Sequence, residues 1–138
     1  MSPRDTRTGG VLEAMVLPAL TRGGYTVRTH VAVGNRLGGG RHIVDAVASQ
    51  SERKLLISLK WQQVRGTAEQ KVPFEIMCLA DAMERESYDG AYLVLGGEGW
   101  RRRHFFVGEG LKKYLKNTEG VEIVTLESFV ARSNQGNL

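Results

Sequence analysis

The chain is poor in the residues that most metal and redox sites are built from: among 138 residues it has one cysteine, Cys78, and three histidines, with only three prolines. One cysteine excludes an internal disulfide, and with three scattered histidines it cannot assemble a zinc cage. Cys78 lies among Ile76, Met77, Leu79 and Ala80, the setting of a buried, inert thiol rather than a nucleophile. No apolar run approaches the roughly 18 residues of a membrane span. The opening MSPRDTRTGG lacks the apolar stretch of a secretion signal. The expectation is a cytoplasmic protein with no membrane partner. There is no internal repeat and no low-complexity segment, and the length suits one compact domain, residues 1–138, rather than a catalytic domain plus a separate recognition domain.

What the chain does have is an uneven distribution of charge. The overall +4 is modest, but Gly99 to Lys116, GWRRRHFFVGEGLKKYLK, sets three Arg and three Lys against one Glu and carries +5 by itself. Such a segment suits an anionic polymer, with a solvated face that keeps the protein soluble as the plain alternative. Arg101, Arg102 and Arg103, with Lys112 and Lys113 and with Arg41 earlier in the chain, are the candidate phosphate contacts.

Taken in order, Val11, Leu12, Met15, Val16, Ala19 and Leu20 recur at the spacing of an amphipathic helix ended by Gly23 and Gly24, with Pro18 expected to kink or shorten it. Tyr25, Val27, Thr29, Val31 and Val33 alternate as one buried face of a strand. Residues 34–41, GNRLGGGR, read as a flexible loop; the three glycines lack the context of a phosphate loop. Residues 42–48 and 54–61 are two apolar strands of a hairpin. With the turn centred near residues 51 and 52, Asp45 falls across from Ser58, and Ser58 and Lys60 share a face. A helix follows, its apolar stripe formed by Val72, Ile76, Leu79, Ala80 and Met83; Thr67 and Gln70 suggest a capping box, whereas Pro73 argues for a start nearer Lys71. Residues 91–95 read as a strand covered on both faces. Beyond it are expected a short strand 104–107, a helix 109–116, a strand 121–125, a helix from Leu126 and a frayed tail.

A charged residue closing an apolar strand needs a reason, and Lys60 is such a residue. A carboxylate on one strand of a hairpin and a lysine on the next can serve phosphodiester hydrolysis, the carboxylate holding a divalent cation and the lysine acting on the attacking water or on charge at the phosphate. Hard oxygen donors point to Mg2+, for which Mn2+ can substitute.

The order of helix with Glu13, strand, Gly-rich loop, strand with Asp45, strand with Ser58-Leu59-Lys60, helix and strand resembles the PD-(D/E)XK, or restriction-endonuclease-like, nuclease superfamily over residues 9–96, with 97–138 as a basic C-terminal segment. The resemblance implies an α/β fold with a mixed central β-sheet flanked by helices. It also implies a Mg-dependent DNA endonuclease, junction-selective, site-specific or nicking, in which Asp45 binds metal, Lys60 is the motif lysine and Glu13 the first-helix acid of some branches. An ordinary surface glutamate is the alternative for Glu13. Ser58 stands where the family usually has an acid. Some members with Ser-X-Lys take the missing carboxylate from the following helix, and Glu75, 15 residues after Lys60, is the expected replacement, with Glu69 as the second choice. Gln63 resembles the glutamine that often follows the motif lysine. The run KWQQVRGTAEQKVPFE is similar to a block in phage and bacterial nucleases of this class. Cutting two strands with one site per chain implies a homodimer. The rival expectations are a catalytically inactive DNA-binding module on the same fold and an assembly protein whose basic patch binds an acidic partner.

Overall fold

A computed structural model describes residues 9–64, 68–108 and 110–138. Helix α1 is a π-helical segment Leu12–Val16 running into an α-helical segment Leu17–Arg22. Pro18 is the reason for the wide turn: its ring would meet the carbonyl four residues back and it has no N–H to donate, so the Leu17 N–H reaches back to the Leu12 carbonyl instead. Strands β1 (Thr26–Asn35), β2 (Arg41–Gln50) and β3 (Arg53–Trp61) form an antiparallel meander. Helix α2 (Ala68–Glu86) then crosses to β4 (Gly90–Gly96), which lies parallel to β3, and β5 (Val121–Thr125) lies parallel to β4. The result is one mixed sheet in the order β1-β2-β3-β4-β5. Between β4 and β5 come the short helix α3 (Arg103–Val107) and a single 3-10 turn, Lys112–Tyr114; α4 (Leu126–Asn134) follows β5.

Helices cover both faces. Val72, Ile76 and Leu79 of α2 pack with Val31, Val33, Val44, Val47, Leu56 and Leu93. On the other face, Leu12, Val16 and Leu20 of α1 and Phe129 of α4 pack with Ala46, Ala48, Leu55, Ile57 and Val94. Because β3 and β4 are buried on both sides, their sequences are continuous apolar runs.

Four local expectations are corrected. Helix α2 starts at Ala68, upstream of Pro73, which sits inside it near the N-terminal end where few intrahelical donors are lost; Thr67 lies outside the described residues. Residues 104–107 are helical, with the Phe106 N–H on the Arg102 carbonyl and the Gly108 N–H on the His104 carbonyl. The expected helix 109–116 is reduced, over its described part, to the 3-10 turn. The tail is tied down: the Leu138 N–H donates to the Tyr25 hydroxyl at 2.9 Å, and Arg53 Nη1 donates to the Leu138 main-chain oxygen at 2.9 Å.

The buried face of β1 also changes along its length. Val27 packs on the α1 side, whereas Val31 and Val33 pack on the α2 side. In β2, Val44 and Ala46 likewise face opposite sides although they are two residues apart, so strict alternation is broken between them. The break falls on one cross-strand position. The ladder pairs Thr29 with Ala46 and Val31 with Val44, and skips His30 and Asp45. His30 has φ +52°, a left-handed conformation uncommon for a residue with a side chain. Both strands turn over at the point where Asp45 is presented.

Candidate active site

The β2–β3 ladder ends at the pair Ala46 and Ile57, in the register that sets Asp45 opposite Ser58. Beyond that pair the side chain of Asp45 replaces the ladder: its Oδ2 accepts the Leu59 N–H at 2.6 Å. Burial pushes the Asp45 carboxyl above its ordinary value, against the Leu59 hydrogen bond and the charge of Lys60, while the nearby Glu75 adds to the upward push.

On β3, Leu56 packs toward α2, and the period of two carries Ser58 and Lys60 to the same side. Ser58 is buried, and its Oγ donates to Glu75 Oε2 at 3.1 Å. Glu75 projects from the second turn of α2, buried, with both oxygens occupied. Arg36 Nη1 donates to Oε1 at 2.7 Å, and the fully buried His42 donates through Nε2 to Oε2 at 3.3 Å. Burial pushes this carboxyl up, but the His42 hydrogen bond, the charge of Lys60 and the Arg36 ion pair outweigh it and hold Glu75 at about 2. The Lys60 charge therefore acts on Asp45 and on Glu75 alike, and the two carboxylates act on each other.

The other helix acid has a different position. Glu69 accepts from the backbone N–H of Arg101, from that of Arg102 at 3.1 Å and from Arg102 Nη1 at 2.8 Å. Burial pushes its carboxyl up, and these donors more than offset that, leaving it below its ordinary value. Glu69 thus fastens the basic turn to the start of α2. A second fastening lies beside it, where the Gly99 N–H donates to the Gln62 carbonyl at 2.7 Å and Gln62 Nε2 donates to the Gly99 carbonyl at 2.8 Å. A side chain at Gly99 would put its Cβ 2.5 Å from the Val64 carbonyl oxygen, so the loops meet this closely only with glycine there.

These contacts bring Arg101, Arg102 and Arg103, all exposed, to the end of the sheet that carries Lys60. Lys112 is elsewhere. Its Nζ donates to the Val121 carbonyl at 2.8 Å, and Val121 pairs with Ala91 whereas Lys60 pairs with Leu95. Four residues of strand, about 13 Å, separate the two levels. A cavity of about 530 Å³ lined by Lys112, Lys113, Thr118 and Glu119 lies at that remote end. Glu13 is on the exposed face of the π-helical turn, Gln63 is exposed on the loop after β3, and Arg41 is exposed at the start of β2. Arg36 and His42 escaped the sequence reading. His42 had a usable signal, lying two residues before Val44 in a strand that is apolar at most of its central positions; Arg36, on the glycine-rich hairpin turn, had none.

Among the described residues, no group of three or more His, Cys, Asp and Glu is placed to hold a metal. The donor set of Asp45 and Glu75 nevertheless fits Mg2+ or Mn2+, which are bound through one or two carboxylates with water and phosphate oxygens completing the shell. The two carboxylates supply hard oxygen donors, and Glu75 is held ionised.

A mixed five-stranded sheet flanked by helices, with an aspartate where two strands turn over and a Ser-X-Lys sequence on the next strand, is a restriction-endonuclease-like α/β fold. A family model described as a PD-(D/E)XK nuclease superfamily domain matches residues 4–137, and the chain belongs to that superfamily. No curated protein matches it. The crystal structure of a protein of unknown function, AF1548, is similar at 14% identity and a TM-score of 0.49, over 80% of this chain and 54% of that one. The chain therefore spans about half the length of that protein.

Proposed function

We propose that this domain is a Mg-dependent DNA endonuclease in which Asp45 and Glu75 hold the cation and Lys60 serves the hydrolytic water. Superfamily membership supports nuclease activity. The observation that carries the finer reading is that the two residues before Lys60 each hold one carboxylate: the Leu59 N–H donates to Asp45, and Ser58, in place of an acid, donates its hydroxyl hydrogen to Glu75.

When bound, a divalent cation at the two carboxylates would lower the pKa of a coordinated water and neutralise charge on the scissile phosphate. The chain's own groups do the rest. The Leu59 N–H fixes one oxygen of Asp45, so this carboxylate is oriented before any ligand arrives. Ser58 and His42 fix Glu75 from two directions. Lys60, half-buried at the strand end, would orient the attacking water and offset charge that develops on the phosphate. Arg101 and Arg103, exposed at the same end of the sheet, would contact the DNA backbone without reading sequence. A homodimer would supply the second site needed for cutting both strands.

Lys60→Ala should abolish Mg-dependent cleavage of a DNA duplex or four-way junction while sparing DNA binding; cleavage at the parental rate would sink the assignment. One observation favours the alternative, an inactive DNA-binding module: Glu75 already has Arg36, His42 and Ser58 as partners. That reading predicts DNA retention with no hydrolysis in Mg2+ or Mn2+, and no rise in Tm on adding either metal.

A further inference from the structure

Arg36 is the partner of Glu75 that neither strand nor helix requires. It belongs to the turn at the tip of the β1–β2 hairpin, where the Arg36 N–H donates to the Gly40 carbonyl and the Gly39 N–H to the Arg36 carbonyl. Gly38, Gly39 and Gly40 follow with φ of +83°, +110° and +90°, and a Cβ on any of them would meet nothing within 4 Å. The three glycines are thus demanded by backbone conformation, and the tip that they form stands clear of the rest of the chain. Its base does not. Arg85 of α2 donates to the Asn35 carbonyl at 3.0 Å, and its guanidinium lies against Gly34 so closely that a Cβ there would come within 2.4 Å of Nη1. The hairpin is held at its base by Arg85, so the side chain of Arg36 can leave Glu75 without the strands moving.

The two ends of the Arg36–Glu75 pair also differ. The Glu75 side chain is 4% exposed and keeps His42 and Ser58 as partners if Arg36 departs, whereas the Arg36 side chain is 31% exposed, at the boundary with solvent. The guanidinium contributes one positive charge to a carboxylate pair that a divalent cation would otherwise neutralise. Two cations cannot share Glu75 without repulsion, and Arg36, at the solvent boundary, is the one with water to move into.

Resting on the assignment of Asp45 and Glu75 as the metal-binding pair, we propose that Arg36 is an exchangeable cation: it occupies Glu75 while the metal is absent, and metal binding releases it to pair with a phosphate of the nucleic-acid backbone at the hairpin tip. Metal and nucleic acid then assist each other through one side chain, since the ion that displaces Arg36 makes a phosphate-binding guanidinium available.

The test uses the full chain and two readouts other than cleavage. Mn2+ binding is followed by the electron paramagnetic resonance of the free ion, and binding of a fluorescein-labelled DNA duplex is measured in EDTA and in Ca2+. Arg36→Gln should bind Mn2+ about tenfold more tightly than the parent, the effect of removing one competing charge. It should bind DNA less tightly than the parent in Ca2+ and equally well in EDTA, where Glu75 occupies the guanidinium of the parent. Arg36→Lys keeps the charge and should hold Mn2+ at the parental level, which keeps the test decisive if the glutamine variant folds poorly. Asp45→Asn separates the two claims. If it abolishes Mn2+ binding while Arg36→Gln leaves affinity unchanged, or if Arg36→Lys binds Mn2+ more tightly than the parent, the exchange is wrong and the metal site stands. A loss of DNA affinity equal in EDTA and Ca2+ also refutes the exchange. If the parent and Arg36→Gln both fail to bind Mn2+, the metal site fails with it.

Discussion

Glu75→Gln is the substitution whose outcome can be worked out furthest. The ionised carboxylate is buried, and His42, Lys60 and Arg36 together carry it from an ordinary 4.5 to about 2. That displacement is linked to stability: a carboxyl whose folded value is depressed stabilises the native state above its unfolded value, and the contribution is lost as pH falls toward the folded one. For Glu75 it amounts to about 3 kcal/mol at neutral pH, a large fraction of the stability of a small domain. It should fall to roughly half of that by about pH 3. Glutamine keeps the shape and an accepting oxygen, but it has no charge for Arg36 and Lys60 to meet, and its amide hydrogens face donors. The expected result is a loss of about 3 kcal/mol in urea unfolding at pH 7, with parent and variant converging as pH falls from about 4.5 toward 3. The difference between the two proteins isolates this one group, because the other carboxyls titrate in both. A variant as stable as the parent at pH 7, or a gap that stays constant down to pH 3, would refute the account of Glu75 as a carboxylate held ionised by its three cationic or donor neighbours.

Asp45 should behave in the opposite sense, since burial raises its carboxyl and ionisation there costs stability as pH rises above the ordinary 3.8. Asp45→Asn can retain the Leu59 hydrogen bond and should therefore raise Tm at pH 7 in EDTA while removing Mn2+ binding; a lower Tm would contradict the cost assigned to the buried charge. At the basic end, Arg101→Ala or Arg103→Ala should reduce the slope of log affinity for DNA against log salt by about 1, whereas Lys112→Ala, on the Val121 carbonyl at the remote end of the sheet, should leave the slope unchanged. An equal fall for Lys112→Ala would extend the DNA footprint to that end.

The features legible from sequence are those encoded by short-range pattern. The hairpin register was readable because residues 42–48 and 54–61 are apolar and the intervening turn is polar; the turn centres on Ser51 and Glu52, both at positive φ, as a tight antiparallel turn requires. That register alone brought Asp45 opposite Ser58 and put Lys60 on the Ser58 face. Residues 104–107 read as a strand because four residues carry too little period to tell strand from helix, and the short helix they form follows a turn held by a long-range contact, the Glu69 carboxylate on the N–H groups of Arg101 and Arg102. The preference for Glu75 over Glu69 rested on a resemblance in spacing and not on any local pattern. Both lie on α2, six residues apart, and what separates them is the neighbour that each meets: the β4–α3 turn for one, and His42 and Ser58 for the other. Arg36 and His42 reach Glu75 across 39 and 33 residues of sequence, beyond any local signal.

A serine on the strand facing a buried acid on the helix has a physical consequence of its own. Glu75 approaches from α2, on the side where the hairpin stands, and so it can be shared between the sheet, through Ser58 and His42, and the hairpin tip, through Arg36. The Ser58 hydroxyl, on the strand, holds the helix carboxylate. Ser58→Asp would press a second carboxylate against Glu75 Oε2, which now accepts the Ser58 hydroxyl at 3.1 Å, and in that buried setting the two could not both stay ionised without a cation between them. The arrangement therefore ties three residues together. Serine on the strand, glutamate on the helix and arginine on the hairpin are joined through the two oxygens of Glu75, which accept from Ser58 Oγ and from Arg36 Nη1.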